Sequence, residues 1–522
     1  MNLAMKIKQL LVTISYLKYR QIYYRIFYGL RKHLRTKLHY TYKLTLPSTT
    51  QKLLLNESIK SFDSLDSLDY YKFNFLNKTY IFSENIDWNF STYGKLWTYN
   101  LNYFDYLVQV NIDNDLALMT IYDFIDNIDV IKDGLEPFPI SLRGINWIKY
   151  ISKNNLNDTK IDNSLYAQYK ILMDNIEYHL LGNHLLENGF SLLFAAYYFK
   201  DTLFYKKAKK ILTEELEEQI LQDGGHFELS PMYHQIMLFR LLDCINLLQN
   251  NHWKDKALLI FLQKKAEIML GWLEIITFKN GDIPLLNDST NGIAPTTKAL
   301  FEYASRLNVV KQEQKLSDSG YRKFANDKYE CVVDMGNIGP DYIPGHAHAD
   351  TFSFVLYLEE IPFIIDAGLS TYETNKCRTY ERSTSAHNTV EVNSTNQSNV
   401  WGGFRVAERA HIVSLHENDK EITATHNGYM KNFSTLHART FKFEENSIIV
   451  IDDIIAKDLP KTIARLHFHP NVDENMIYKH INLHELDYSI KEYLYATEFN
   501  KHIKSKMIEI NFSKKLEIRI AL

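Results

Sequence analysis

Two hydrophobic rhythms divide the chain. From about residue 100 to residue 315, apolar positions recur every three or four residues, the period of amphipathic helices. The spacing predicts helices over residues 107–128, 141–151, 162–181, 189–203, 205–221, 230–249, 254–277 and 295–306. Pro137 and Pro139 break the pattern, Gly182 stands where a terminal glycine closes a helix, and Gly224 and Gly225 interrupt again. Ser230 and Pro231 supply a cap and a first-turn proline. Successive helical hairpins on short loops predict an α/α toroid, an incomplete α/α barrel. After about residue 320 the apolar residues come in short runs between polar connections: 330–335, 351–358, 363–366, 389–392, 410–415, 422–426, 439–443, 448–453, 464–469 and 516–522. That pattern predicts an antiparallel β-sandwich. The expected fold is α+β and multidomain, with the toroid over residues 91–318 and the sandwich over residues 319–522. Residues 1–90 form a lead segment: helix rich in Lys, Arg and Tyr to about residue 45, then mixed structure with short strands at 70–75 and 79–82. No low-complexity linker separates the halves, so they are expected to pack closely around a cleft.

Composition narrows the choices. A chain of 522 residues exceeds one ordinary core, and 45% hydrophobic with 23% charged residues is globular. The net charge of −4 gives no basic excess of the kind nucleic acid requires. The 35 Tyr, 29 Phe and 6 Trp suit sugar rings, although a low-GC codon bias yields the same enrichment. Cys244, Cys331 and Cys377 match no metal or redox spacing. No apolar run is long enough to span a bilayer. Residues 1–17 are weakly signal-like but lack a small-residue cleavage site. Residues 16–35 are basic and aromatic, expected to pack as a helix, with an anionic membrane surface as the alternative contact.

Polar residues gather at the helix edges in three places: 143–147 (Arg-Gly-Ile-Asn-Trp), 182–189 (Gly-Asn-His-Leu-Leu-Glu-Asn-Gly) and 224–234, ending Ser-Pro-Met-Tyr-His. Loop-to-helix junctions on one rim of a toroid are where a polysaccharide groove lies. Arg143, Asn146, Trp147, Asn188 and His234 are therefore candidate substrate contacts, joined from the second half by Tyr372 and Arg378. Downstream, residues 345–350 read Gly-His-Ala-His-Ala-Asp, and two histidines at i and i+2 of an extended segment share a face. Asp366 and His387 follow, and a His/Asp/His set of this kind binds zinc. Structural alternatives stand beside each candidate. Asn183 also reads as a helix cap, His184 as a core histidine and Tyr233 as a packing residue. His467 and His469 repeat the i, i+2 spacing without the glycine flank or the nearby Asp and His.

As a set, residues 345–350, 362–368, 378–382 and 385–390 (Ser-Ala-His-Asn-Thr-Val), with Asn183-His184 and Tyr233-His234 upstream, resemble the heparinase II/III family of polysaccharide lyases. The resemblance covers about residues 95–470 and implies a helical toroid followed by a β-sandwich. It implies β-elimination at a uronic acid, giving a 4,5-unsaturated product. Asn183 and His184 correspond to the groups that neutralise the carboxylate. Tyr233 corresponds to the acid, in some members also the base, and His346 to the base across the cleft. A tyrosine base needs its pKa lowered by positive charge, for which His184, His234 and Arg143 are the candidates. His348, Asp366 and His387 correspond to the ligands of a structural zinc ion. The implied partner is an acidic polysaccharide, and the implied compartment is the periplasm or cell envelope. Arg143, Arg378, Arg382, Arg405 and Arg409 are scattered, with no basic strip that marks a sulfated chain. Two rivals remain on the residues alone: a non-catalytic protein of envelope polysaccharide assembly on the same fold, and a glycoside hydrolase using Glu187 and Glu228.

Overall fold

The computed structural model describes residues 3–42, 45–66 and 70–522. Helices α1 (Leu3–Ser15) and α2 (Tyr19–Lys37) lie on the outside of the body, and a small antiparallel sheet follows, formed by β1 (Leu65–Asp66), β2 (Tyr71–Phe75) and β3 (Lys78–Phe82). The toroid is built from α3 (Lys95–Tyr103), α4 (Asn114–Asp126), α5 (Pro137–Lys153), α6 (Thr159–Asp174), α7 (Gly182–Phe199), α8 (Thr202–Gln219), α9 (Pro231–Asn250), α10 (Ala257–Ile276) and α11 (Thr297–Arg306). Side chains of Asp113, Asp158, Asp201, Ser230 and Thr296 accept backbone N–H groups at the starts of α4, α6, α8, α9 and α11. The Asp113 cap explains why the helix expected over 107–128 begins only at Asn114. Nearly every side chain of α7 is buried, as befits the inner helix of the ring. Phe104, Phe124 and Trp147 pack edge-on to one another in the core, and Trp97 packs edge-on to Phe90.

One boundary is reversed. Gly182 was expected to close a helix running to residue 181, but α6 ends at Asp174 and Gly182 opens α7. Leu181 and Gly182 both have positive φ, 67° and 58°, which turns the chain sharply into the new helix. A Cβ on Gly182 would stand 2.8 Å from a carboxylate oxygen of Glu228. Asn183 and His184 thereby sit in the first turn of α7, where backbone N–H groups and the helix dipole favour an anion.

The second half starts with a sheet of β4 (Tyr321–Ala325), β5 (Tyr329–Asp334), β6 (Phe354–Leu358) and β7 (Ile361–Ile364). Next come the short α12 (Lys376–Glu381), β8 (Val390–Val392), the pair β9 (Val400–Trp401) and β10 (Arg405–Val406), β11 (Ile412–Glu417) and β12 (Glu421–His426). After the single turn α13 (Met430–Phe433) come β13 (Thr435–Phe443), β14 (Ser447–Ala456) and β15 (Thr462–His467). The chain ends with α14 (Glu474–His480), β16 (Asp487–Glu498), β17 (Lys501–Phe512) and β18 (Lys515–Ala521). Their order is β11-β12-β13-β14-β18 in one antiparallel sheet and β16-β17-β15-β8 in the other. The sheet β4–β7 is buried on both faces, because successive residues point to opposite sides. Val332, Val355 and Tyr357 join the helical core, while Cys331, Val333, Phe354 and Leu356 join the sandwich core. Strong apolar character on both faces is why these strands read as continuous runs in the sequence.

Candidate functional site

The site lies where the start of α7, the start of α9 and the loop before β6 meet. Its centre is a residue that the sequence did not single out, Asp288. Both guanidinium Nη atoms of Arg378 donate to its carboxylate, the one to Oδ2 at 2.8 Å. His346 Nδ1 lies 2.9 Å from Oδ2 and His348 Nε2 lies 2.8 Å from Oδ1. The group is fully buried, which opposes ionisation, but Arg378 and then the two histidines outweigh burial and hold its pKa well below the ordinary carboxylate range. An ionised carboxylate only accepts, so both imidazoles donate to it. In the neutral imidazoles this places the lone pairs on His346 Nε2 and His348 Nδ1.

His346 packs against Tyr233 from the other domain, with ring centroids 3.9 Å and planes 31° apart. Tyr233 rises from the first turn of α9, whose cap Ser230 accepts the Tyr233 N–H and donates to the carbonyl of Asp288 at 2.8 Å. The Tyr233 hydroxyl is 3.1 Å from that of Tyr372. Burial pushes the Tyr233 pKa up, against a smaller opposing effect of the Tyr372 hydrogen bond, so it is a neutral phenol. The lowering expected from His184, His234 and Arg143 is therefore reversed.

On the facing side, Glu228 links the two halves. Its Oε1 accepts the Asn183 backbone N–H at 2.9 Å, and its Oε2 lies 3.3 Å from His346 Nε2. Burial raises the Glu228 pKa, with His346 partly offsetting it. His184 Nδ1 is 3.0 Å from Glu177 Oε1 and its ring packs on Phe138. Burial disfavours the imidazolium, but the charge and hydrogen bond of Glu177 prevail and raise the His184 pKa above the ordinary histidine value. The side chain is one-third exposed.

Several expected substrate contacts are elsewhere. Arg143 is buried and donates to Gln168 Oε1 and to the Asn102 carbonyl, with its guanidinium on Phe124. Asn146 donates to the Tyr103 carbonyl and to Asp105, and Trp147 is part of the aromatic core. Asn188 donates to Glu177 Oε2 at 2.9 Å and so orients the partner of His184 from behind. His234 points away from Tyr233, with Nε2 3.0 Å from the Met269 carbonyl and its ring on Trp272. Each faces the core because α5, α7 and α9 are buried on several sides, and spacing does not reveal which side meets the groove. Arg378 and Tyr372 do reach the site, although Arg378 is committed to Asp288. Glu187 is buried and pairs with Arg240, while Glu228 accepts the Asn183 N–H, so both carboxylates named for the glycoside hydrolase rival are held by framework contacts.

The expected metal ligands are close but not assembled. His387 Nδ1 is 2.7 Å from Asp366 Oδ2, and the rings of His348 and His387 are 5.3 Å apart. His348 Nδ1 and His387 Nε2 are buried and have no hydrogen-bond partner. Among the described residues, no group of three or more His, Cys, Asp or Glu side chains is gathered at metal-ligand spacing. The two bare imidazole nitrogens and the adjacent carboxylate are donors of the type zinc takes. His467 belongs to the framework instead: its Nδ1 is 3.2 Å from Asn388 Oδ1.

A toroid joined to a sandwich, with Asn, His and Tyr meeting between them, is the build of the two-domain polysaccharide lyases. The chain belongs to the heparinase II/III-like family: the model for the heparinase II/III N-terminus matches residues 149–329, and that for the heparinase II/III-like C-terminal part matches residues 309–505. A heparin-sulfate lyase of Bacteroides stercoris is 23% identical over 324 residues, covering 56% of this chain and 46% of that protein. The chain thus spans less than half the length of this curated relative. A solved structure of heparinase III overlays with a TM-score of 0.65 at 16% identity, covering 84% of this chain and 80% of that one. The heparan sulfate lyase of Pedobacter heparinus, solved as a mutant, gives a TM-score of 0.55 at 18% identity over 84% of this chain and 79% of that one.

Proposed function

We propose that the protein is a polysaccharide lyase that cleaves a uronate-containing glycan by β-elimination. The observation that carries this reading is the close Tyr233–His346 ring contact across the domain interface, with His346 oriented through Nδ1 by Asp288. Removing the C5 proton loads charge onto the uronate carboxylate, and Asn183 and His184 in the first turn of α7 are suited to receive that charge. His184, whose pKa Glu177 raises, favours the cationic form that strengthens its hydrogen bond as the enolate forms. His346 Nε2 takes the C5 proton. The C4–O4 bond breaks, C4=C5 forms, and the neutral Tyr233 phenol gives its proton to the departing O4. Tyr372, in hydrogen-bond contact with Tyr233, leads the replacement proton in from solvent.

Arg378 and Arg382 are committed to Asp288 and to backbone carbonyls of Ala347 and Gly403. The anchor under this reading is the uronate carboxylate, and sulfate is not required. Lightly sulfated or unsulfated uronate polymers at the cell envelope are the favoured substrates, with the heparan sulfate of the named relatives as the comparison. A divalent cation, zinc by its donor set, belongs to the same proposal; His348, Asp366 and His387 would hold it, and it would tie together the segments behind His346 without supplying a reacting group. Metal analysis after metal-replete purification is expected to find one equivalent, lost in H348A; no metal in the wild type rejects it.

The function is tested by incubating the protein with a panel of uronate polymers and following the ultraviolet absorbance of the unsaturated product. Wild type is expected to generate it with at least one polymer, and Y233F to lose turnover while keeping its melting temperature. Reducing ends without absorbance, or full activity in Y233F, overturns the assignment.

A further inference from the structure

The N-terminal helices have a surface that the toroid does not use. Helix α2 carries two stripes at helical spacing. The inner one, Gln21, Tyr24, Tyr28, Arg31 and Arg35, holds the helix to the body: Tyr28 donates to the Ile176 carbonyl, Arg31 and Arg35 pair with Asp174, and the buried Gln21 donates to the carbonyls of Leu180 and Tyr342. The outer one, Tyr23, Ile26, Phe27, Leu30, Leu34 and Leu38, is exposed, Leu30 to 61%. Helix α1 repeats the plan, with Gln9 and Thr13 bonded to Asn399 and Trp401 and with Ile7, Leu10, Leu11 and Ile14 exposed. An apolar stripe of this length on two consecutive helices is too large to be incidental surface.

Charge identifies what covers it. Residues 1–56 contain eleven Lys and Arg and no Asp or Glu, in a chain whose net charge is −4. Lys18, Arg20, Arg31 and Arg35 are paired with Glu218, Glu215 and Asp174 of the toroid. Lys6, at the edge of the α1 stripe, and Lys37, within the α2 stripe, are exposed and make no ion pair among the described residues. A second copy meeting this face about a two-fold axis would bring cations against cations with no acid to relieve them. An anionic bilayer satisfies both features: acyl chains take the apolar stripe, headgroups take the lysines, and tyrosines suit the boundary. No described helix is long and apolar enough to cross a membrane, so these helices lie along the surface.

We propose that α1 and α2 are an interfacial anchor that holds the protein on an anionic lipid bilayer. Through Gln21 the anchor is fastened to Leu180 and Tyr342, next to the Asn183 turn and the segment bearing His346, so the bound protein presents its groove near the lipid plane.

The test is co-sedimentation of the full chain with vesicles of phosphatidylcholine, alone or mixed with phosphatidylglycerol. Binding is expected only to the mixed vesicles and is expected to weaken with salt. Each cation near an anionic surface contributes about fivefold to partitioning, so K6Q/K37Q is expected to bind roughly 25-fold more weakly. L30E/L34E is expected to abolish binding. Both variants change exposed positions and are expected to keep the wild-type melting temperature. Failure of wild type to bind mixed vesicles at low salt overturns the proposal, as does binding that neither variant alters. A dimer by light scattering that L30E/L34E dissociates, without vesicle binding, assigns the stripe to a second copy and overturns it as well.

Discussion

Replacing Asp288 by Asn separates structure from chemistry at one atom. The carboxylate is buried and has three donors around it: Arg378 in bidentate contact, His346 and His348. Asparagine keeps the volume but offers one acceptor oxygen and an NH2 that must face N–H groups. The Arg378 guanidinium, itself buried, loses its counter-charge. Breaking a buried pair by removing one partner costs about 3–5 kcal/mol. At roughly 2–4 °C per kcal/mol for a domain of 150–250 residues, the melting temperature is expected to fall by roughly 6–20 °C. The chemical loss is separate. Without an obligate acceptor, His346 is no longer held with its lone pair on Nε2, and removal of an aligned general base costs about 100- to 10,000-fold in turnover. Scanning calorimetry gives the first quantity, and initial rates well below the lowered transition give the second. A variant that melts within about 1 kcal/mol of wild type would falsify the network. Unchanged turnover in a folded D288N would remove His346 as the base.

Three further outcomes follow from the same geometry. In E177Q, His184 loses the carboxylate that raises its pKa; since the cationic form then survives only to lower pH, the alkaline fall of kcat/KM is expected to move to lower pH, and an unmoved limb rules out a cationic role for His184. In G182A, the new Cβ at 2.8 Å from the Glu228 carboxylate and the positive φ both displace the Asn183 turn, and turnover is expected to drop roughly 10- to 100-fold with little change in circular dichroism. In D452A, the buried Arg439 loses its two hydrogen bonds at 2.7 and 2.8 Å, and thermal melting is expected to show a loss of about 3–5 kcal/mol, with wild-type stability as the contrary result.

The residues that were legible share a local signature. His346 and His348 are two apart in one strand-like segment, and Asn183 and Tyr233 stand beside breakers that announce a helix start. Asp288 has no such signature. Its partners lie 58, 60 and 90 residues away, and a lone Asp in an Asn-Asp-Ser-Thr turn resembles any polar loop. The one available hint was the polar run of residues 287–290 directly after the apolar Leu285 and Leu286. Arg143 and Trp147 misled for the opposite reason: a polar-aromatic motif at helical spacing looks the same whether it faces a groove or a core. Gly182 was visible, but a positive φ serves the entrance of a helix as well as its exit. Strands β16 and β17 escaped notice because exposed apolar residues such as Tyr488, Leu494 and Ile503 mix with Lys and Glu and hide the period of two.

The double-faced sheet β4–β7 bears on how such proteins can be recombined. A seam at residue 318, where helices give way to strands, looks convenient for joining the front of one relative to the back of another. Yet Val332, Val355 and Tyr357 would then meet a foreign helical surface, while their alternate neighbours kept native company in the sandwich. Moving the seam past β7 only transfers the mismatch, because Cys331, Val333, Phe354 and Leu356 would then meet a foreign sandwich. The sheet has no free side along which to cut, so the two halves exchange only together with the surfaces that cover it.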